Sequence, residues 1–241
     1  MLSSFIEKFK FVFLGDDRYK FLIEGFLNTL KITAGALVLG IIIGIVVAAV
    51  RTSYDKNKES MKLRGGAGLY ILGFFNAICK VYLTVIRGTP VVVQLLIMYF
   101  VIFASSTNGV AVGIIAFGIN SGAYVAEIFR AGIMSVDNGQ FEAGRSLGFN
   151  YLQTMKSIVI PQMFKATLPT LCNEFIALLK ETSVAGYVGV IDLTKSGNII
   201  AGRIFYYPLP LAAVALTYLV VVMILTWLVG RLERRLRKSE R

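Results

Sequence analysis

Seven polar side chains stand inside otherwise apolar stretches: Gln94, Asn120, Ser121, Glu127, Asn173, Glu174 and Glu181. Amide and ionisable groups persist in hydrocarbon only where they find partners or water. Together they could line a wet path for a small polar solute. Glu127, Glu174 and Glu181 alone could serve a proton relay. A purely structural use is also open, with Glu174 or Glu181 paired to Lys180 or Arg87. Other chemistry is excluded by type. The chain has no histidine, so the usual general base and commonest metal ligand are missing. Its two cysteines, Cys79 and Cys172, sit in apolar runs and imply no disulfide framework. No G-x-x-x-x-G-K-[ST] run is present to cradle ATP phosphates. No catalytic residue and no metal site is expected.

The elements that must position these groups are long and apolar. Of 241 residues 56% are hydrophobic and only 16% charged, with a mean hydropathy of +0.71. Such runs read as a polytopic membrane protein. Five spans are expected, at about 21–50, 69–105, 110–134, 165–190 and 210–229. Ala36, Gly40, Gly44 and Ala48 fall four apart, as do Gly118, Gly122 and Ala126, so other helix backbones can approach closely there. Arg87-Gly88-Thr89-Pro90 should break the second span, because proline cannot donate to the helix ladder. Lys80 reads as a snorkelling side chain. Residues 1–20 mix aromatics with charges, as an interfacial segment or a frayed end would.

The net charge of +11 sits mostly between and after the apolar runs, so topology explains it better than nucleic acid does. The polar stretch 51–68, made flexible by Gly65, Gly66 and Gly68, and the tail RLERRLRKSER are rich in Lys and Arg; the turn near Ser105 has none. With five spans this puts the N-terminus outside and the C-terminus inside.

The longest polar interruption runs from Val136 to Gln162. Asp137 followed by Gln140 reads as a capping box opening a short helix through Leu147. Gly148 closes it, since glycine accepts the left-handed conformation. Asn150 with Gln153 opens a second short helix, and Pro161 suits a helix's first turn. The product is a helix–Gly–helix elbow on the cytoplasmic side.

Glu142-Ala143-Gly144, three residues, Gly148, nine residues and Ile158-Val159-Ile160-Pro161 resembles the EAA loop of binding-protein-dependent ABC transporter permeases. That family's pattern is Glu-Ala-Ala, three residues, Gly, nine residues, Ile-x-Leu-Pro; Gly144 and Ile160 depart from it, keeping a small and an aliphatic residue. RGTPVVVQ (Arg87 to Gln94), SGAYVAEIFRAGIMSV, NEFIALLKETS and the segment from Gly25 to Thr33 resemble the polar amino-acid (histidine, glutamine, arginine, opine) branch, so the likeness covers nearly the whole chain.

The resemblance implies an all-α polytopic bundle of the type I importer permease fold, with five transmembrane helices and a cytoplasmic coupling helix. Residues 1–20 would be an interfacial segment, 21–231 the permease domain with its elbow at 136–162, and 232–241 a basic cytoplasmic tail. Glu142, Ala143, Gly144, Arg145, Ser146, Leu147, Gly148 and Pro161 would couple to an ATPase. The implied partners are an ABC ATPase dimer that binds ATP and Mg, a second permease subunit (identical or homologous), and an extracytoplasmic amino-acid-binding protein. The chain itself would need no cofactor and would bind no nucleic acid. It would carry a polar, zwitterionic amino acid across a bacterial cytoplasmic membrane, by alternating access. A secondary transporter or channel driven by an ion gradient is the alternative.

Overall fold

The computed structural model describes residues 2–64 and 67–238. Gly65, Gly66 and the end of the basic tail lie outside them. The described residues are helical nearly throughout, in the order α1 Leu2–Phe9, α2 Tyr19–Arg64, α3 Ala67–Gly88, α4 Val91–Ile97, α5 Gly109–Met134, α6 Asn138–Ser146, α7 Tyr151–Thr154, α8 Ile160–Glu181, α9 Leu193–Ile204 and α10 Pro208–Lys238.

Four described helices hold segments long and apolar enough to cross a membrane: Tyr19–Lys56, Gly68–Gly88, Gly109–Met134 and Pro208–Leu236. The expected fourth span, now largely α8, is long enough at 22 residues. Lys165, Glu174, Lys180 and Glu181 keep it out of that group by composition, so four crossings meet the criterion where five were expected.

The break at Arg87–Pro90 is present: α3 ends at Gly88, α4 begins at Val91, and the Thr89 hydroxyl donates to the Val85 carbonyl at 2.8 Å. Two stretches outside the expected spans are helical. Residues 51–64 are not a loop but the continuation of α2; the stretch has no proline or glycine, and its polar residues are ordinary helix formers. The segment from Ile191 to Pro208 contains α9, capped by Asp192.

The chain packs as two compact units. One comprises Met1–Leu37, Val91–Gly118 and Phe175–Leu228. Its core gathers Ile32, Ala36, Leu95, Phe117 and Leu178. In the same unit Val12 and Phe13 of the N-terminal segment are buried against Ile200, Phe21 and Leu22. Its turn runs through Asp16 and Asp17 at positive φ and is held by Arg18, which donates to the Phe11 carbonyl at 2.9 Å and to Asp16 at 2.7 Å.

The other unit comprises Val38–Pro90, Ile119–Glu174 and Val229–Arg241. Here the small-residue ladders do what their spacing promised. A Cβ on Gly40 would lie 3.2 Å from the Gly122 nitrogen, and one on Gly44 2.5 Å from Val125. A Cβ on Gly122 would lie 2.9 Å from both Ile43 and the Tyr82 hydroxyl. Glycine thus seats α5 against α2 and α3. Between apolar helices in lipid, such close packing supplies the attraction that water exclusion supplies elsewhere.

Candidate coupling elbow and polar site

The elbow is built by local rules. Asp137 caps α6, its Oδ1 accepting from the Gly139 N–H at 2.6 Å. The expected capping box is absent here, because the Gln140 side chain is engaged elsewhere: its Oε1 accepts from Gln162 Nε2 at 3.3 Å, linking the elbow's two ends. At the far end Gly148 has φ +80°. Its N–H donates to the Arg145 carbonyl at 2.9 Å, and the Phe149 N–H to the Gly144 carbonyl at 3.0 Å. These paired bonds satisfy carbonyls that a helix end would otherwise leave bare. Asn150 and Gln153 then form the expected reciprocal box, at 2.9 and 2.8 Å. Pro161 does not start a separate helix. α7 runs on through a widened π turn, Met155–Val159, into α8. Such a turn meets a proline whose ring would crowd the preceding turn and which has no N–H to give.

α6 has two faces. Phe141 and Gly144 are buried; Glu142, Ala143, Arg145, Ser146 and Leu147 are exposed, Leu147 by 71%. Gly144 belongs to packing. A Cβ there would lie 2.7 Å from the Thr154 hydroxyl and 2.8 Å from its methyl. The buried, β-branched Thr154 takes the space an alanine would need, so this departure from the family pattern has a local cause.

The elbow is also gripped by α2. Lys56 Nζ donates to Asn138 Oδ1 at 2.8 Å and lies 4.6 Å from the Phe141 ring centroid. Asp55, one residue earlier, meets Arg130 near the end of α5 at 3.5 Å. Sequence reading missed both contacts, since residues separated by a whole span carry no local signal of one another.

Among the seven intramembrane polar residues, Ser121 and Glu174 meet directly. The Ser121 hydroxyl, fully buried on α5, donates to Glu174 Oε1 on α8 at 3.0 Å. Asn120 is buried beside Ser121 in sequence, and Asn173 is exposed. Glu127 accepts from Arg130 Nε at 3.3 Å and Nη2 at 3.2 Å. Gln94 and Glu181, both half-buried, belong to the other compact unit. Lys180 is exposed, and Glu181 has no salt bridge among the described residues.

Outside the spans, Asp192 is fully buried. It accepts from the Lys195 N–H at 2.6 Å and the Gly186 N–H at 2.7 Å. Burial pushes its carboxyl above the ordinary range, against the pull of those bonds. Among the described residues no group of three or more Cys, Asp or Glu could hold a metal ion.

A bundle of apolar helices carrying a capped polar elbow is the architecture of a membrane permease subunit. The chain belongs to the binding-protein-dependent transport system inner membrane component family, whose model matches residues 65–238. It is 34% identical to the arginine transport system permease protein ArtQ of Bacillus subtilis, over 91% of this chain and 94% of that protein. It is 34% identical to the glutamine transport system permease protein GlnP of Escherichia coli, over 90% and 93%. The crystal structure of an amino acid ABC transporter with histidines matches with a TM-score of 0.78 at 36% identity, covering 92% of this chain and 98% of that one. A MetNI methionine ABC transporter, at 20% identity and a TM-score of 0.70, shares the fold.

Proposed function

We propose that this permease subunit imports a polar amino acid and that its elbow is where a separate ATPase delivers the work. The observation that carries the reading is the exposed face of α6, with Glu142, Ala143, Arg145, Ser146 and Leu147 presented on a turn that Gly148 and the Asn150–Gln153 box hold rigid. Leu147 and Leu152 are 71% and 75% exposed, the kind of apolar tip a protein cleft would cover. The ATPase dimer binds ATP and Mg, a second permease subunit completes the path, and an extracytoplasmic binding protein delivers the amino acid. The elbow faces the cytoplasm, with the N-terminus outside and the C-terminus inside. ATPase closure moves the elbow; the Lys56 and Arg130 contacts pass that motion to α2 and α5, and the helices rock to open the path. Gln94, Asn120, Ser121, Glu127, Asn173, Glu174 and Glu181 include the groups that meet the solute. The arginine, glutamine and histidine named for the relatives are the substrates to try first.

Reconstitution of the chain with its ATPase and binding protein in liposomes tests this. ATP hydrolysis should rise with one or a few polar amino acids, and labelled substrate should accumulate with it. A complex that ignores every amino acid sinks the proposal.

A further inference from the structure

Helix α3 carries two cavities side by side, one basic and one apolar, both within a single compact unit. The basic one measures about 500 Å³ and has Arg51, Lys80, Thr84, Arg87 and Glu127 in its wall. Lys80, Thr84 and Arg87 recur at i, i+4 and i+7 on one face of α3, and both cations there are exposed. Arg51 joins them from α2, its Nε buried without a hydrogen-bond partner. The apolar one, also about 500 Å³, is a groove lined by residues that include Phe74, Ala77, Ile78, Val81 and Val85. The two share an edge. Ala77 and Val81 precede Lys80 and Thr84 by three positions, so each pair is adjacent on the helix surface.

The charge around the basic cavity does not cancel. Among the described residues Arg51, Lys80 and Arg87 make no salt bridge. Glu127 is taken by Arg130, which also meets Asp55. With both carboxylates counted, four cations face two anions. The level of the cavity follows from the apolar runs beside it. Residues 32–50 of α2 and 110–126 of α5 carry no charge, and Arg51 and Glu127 are the first charged residues after them. At ~1.5 Å per residue these runs measure about 28 Å and about 26 Å, close to the ~30 Å of a hydrocarbon core. The basic cavity therefore sits where a bilayer passes from acyl chain to headgroup.

We infer that an anionic phospholipid seats here, its phosphate among Arg51, Lys80 and Arg87 and an acyl chain along the apolar groove of α3. The paired cavities decide the class of ligand. A solute without a tail would leave the groove unused, and a zwitterionic lipid would bring another positive charge to a wall already rich in them. Arg87 lies 5.6 Å from the centroid of the Tyr124 ring, and a guanidinium held over a ring keeps its edge for phosphate oxygens. Basic pockets between membrane helices hold anionic headgroups by the same charge logic. The lipid bridges α2 to the last turns of α3, beside the break between Gly88 and Val91.

The test titrates phosphatidylglycerol into the assembled permease–ATPase complex in detergent, with the tightest-bound lipid read by native mass spectrometry and phosphatidylcholine as the zwitterionic control. The wild type should prefer phosphatidylglycerol. Lys80→Gln and Arg51→Gln should each weaken it about fivefold, the weight of one basic residue at an anionic surface, and leave phosphatidylcholine unchanged. Lys80→Arg keeps the charge and should bind like the wild type. So should Lys58→Gln, which removes an exposed cation of α2 outside the cavity. The assignment is overturned if both neutral cavity variants bind phosphatidylglycerol like the wild type. It is overturned too if Lys58→Gln costs as much as Lys80→Gln, which would leave only diffuse attraction to a basic surface. Displacement of the lipid by glycerol phosphate would make the cavity a soluble-phosphate site, and displacement by L-arginine or L-glutamine a solute site; either result overturns the lipid assignment. The measurement needs no transport, so its outcome is separate from that of the transport reading.

Discussion

Two turns of this molecule solve the same problem in opposite ways. The elbow at 136–162 ends and restarts a helix with side chains a few residues away: Asp137, Gly148, and Asn150 with Gln153. The turn before α9 uses Asp192, a single buried carboxylate, and is pinned from far along the chain. Asn28 Nδ2 donates to the Ile191 carbonyl at 3.0 Å, and the Leu193 N–H donates to Thr29 Oγ1 at 3.1 Å. Gly25 lets α2 come close there, because a Cβ would run into the Ser196 hydroxyl and the Asp192 backbone. The elbow is exposed and takes its turns from its own residues, with Lys56 of α2 holding one end, as suits a surface that another protein must grasp. The Asp192 turn is buried and cross-braced, and owes its shape to a helix more than 160 residues earlier.

The contrast predicts different failures. Gly25→Ala should hurt most, since the obstructing atoms include backbone and cannot swing away; we expect a loss of about 3 kcal/mol or more and little assembled protein in the membrane fraction. Assembly at the wild-type level would show that α2 can retreat and that the brace is loose.

Asp192→Asn should come next. The folded carboxyl is raised above its ordinary range, so its stabilising contribution is complete below the ordinary carboxylate pKa and is lost as pH rises through the folded value. The wild type should therefore gain on the Asn variant as pH falls through the acid range, read as the difference between their melting temperatures in detergent. A difference that does not vary with pH would mean that Asp192 is held by its backbone donors alone.

Gly148→Val meets nothing within 4 Å, so its cost is conformational. It should be on the order of 1–3 kcal/mol and stay local. The complex should assemble, while substrate carried per ATP falls. Normal uptake would argue against the elbow as the coupling element.

Lys56→Ala removes one hydrogen bond and one ring contact, worth about 1 kcal/mol together. It should leave the melting temperature nearly unchanged and lower only the coupling ratio; Lys56→Arg should restore it. An unaltered ratio would confine coupling to α6 and α8.

What the sequence determined by itself is everything carried by short range or by period. The apolar runs, the ladder at Gly40 and Gly44, the break at Pro90, the left-handed Gly148 and the box at Asn150 are each written in a few neighbouring residues, and each is found in the structure. Where a local rule failed at the elbow, a distant partner had intervened: Gln140 left the Asp137 box to meet Gln162. Only the tertiary structure decided which polar groups meet. Ser121 found Glu174, Glu127 went to Arg130, Gly144 was required by Thr154, and Arg51, Lys80 and Arg87 came to share one cavity. The physical reason is that side chains on different helices are brought together by how the helices pack, and spacing along one chain says nothing about what lies across the gap.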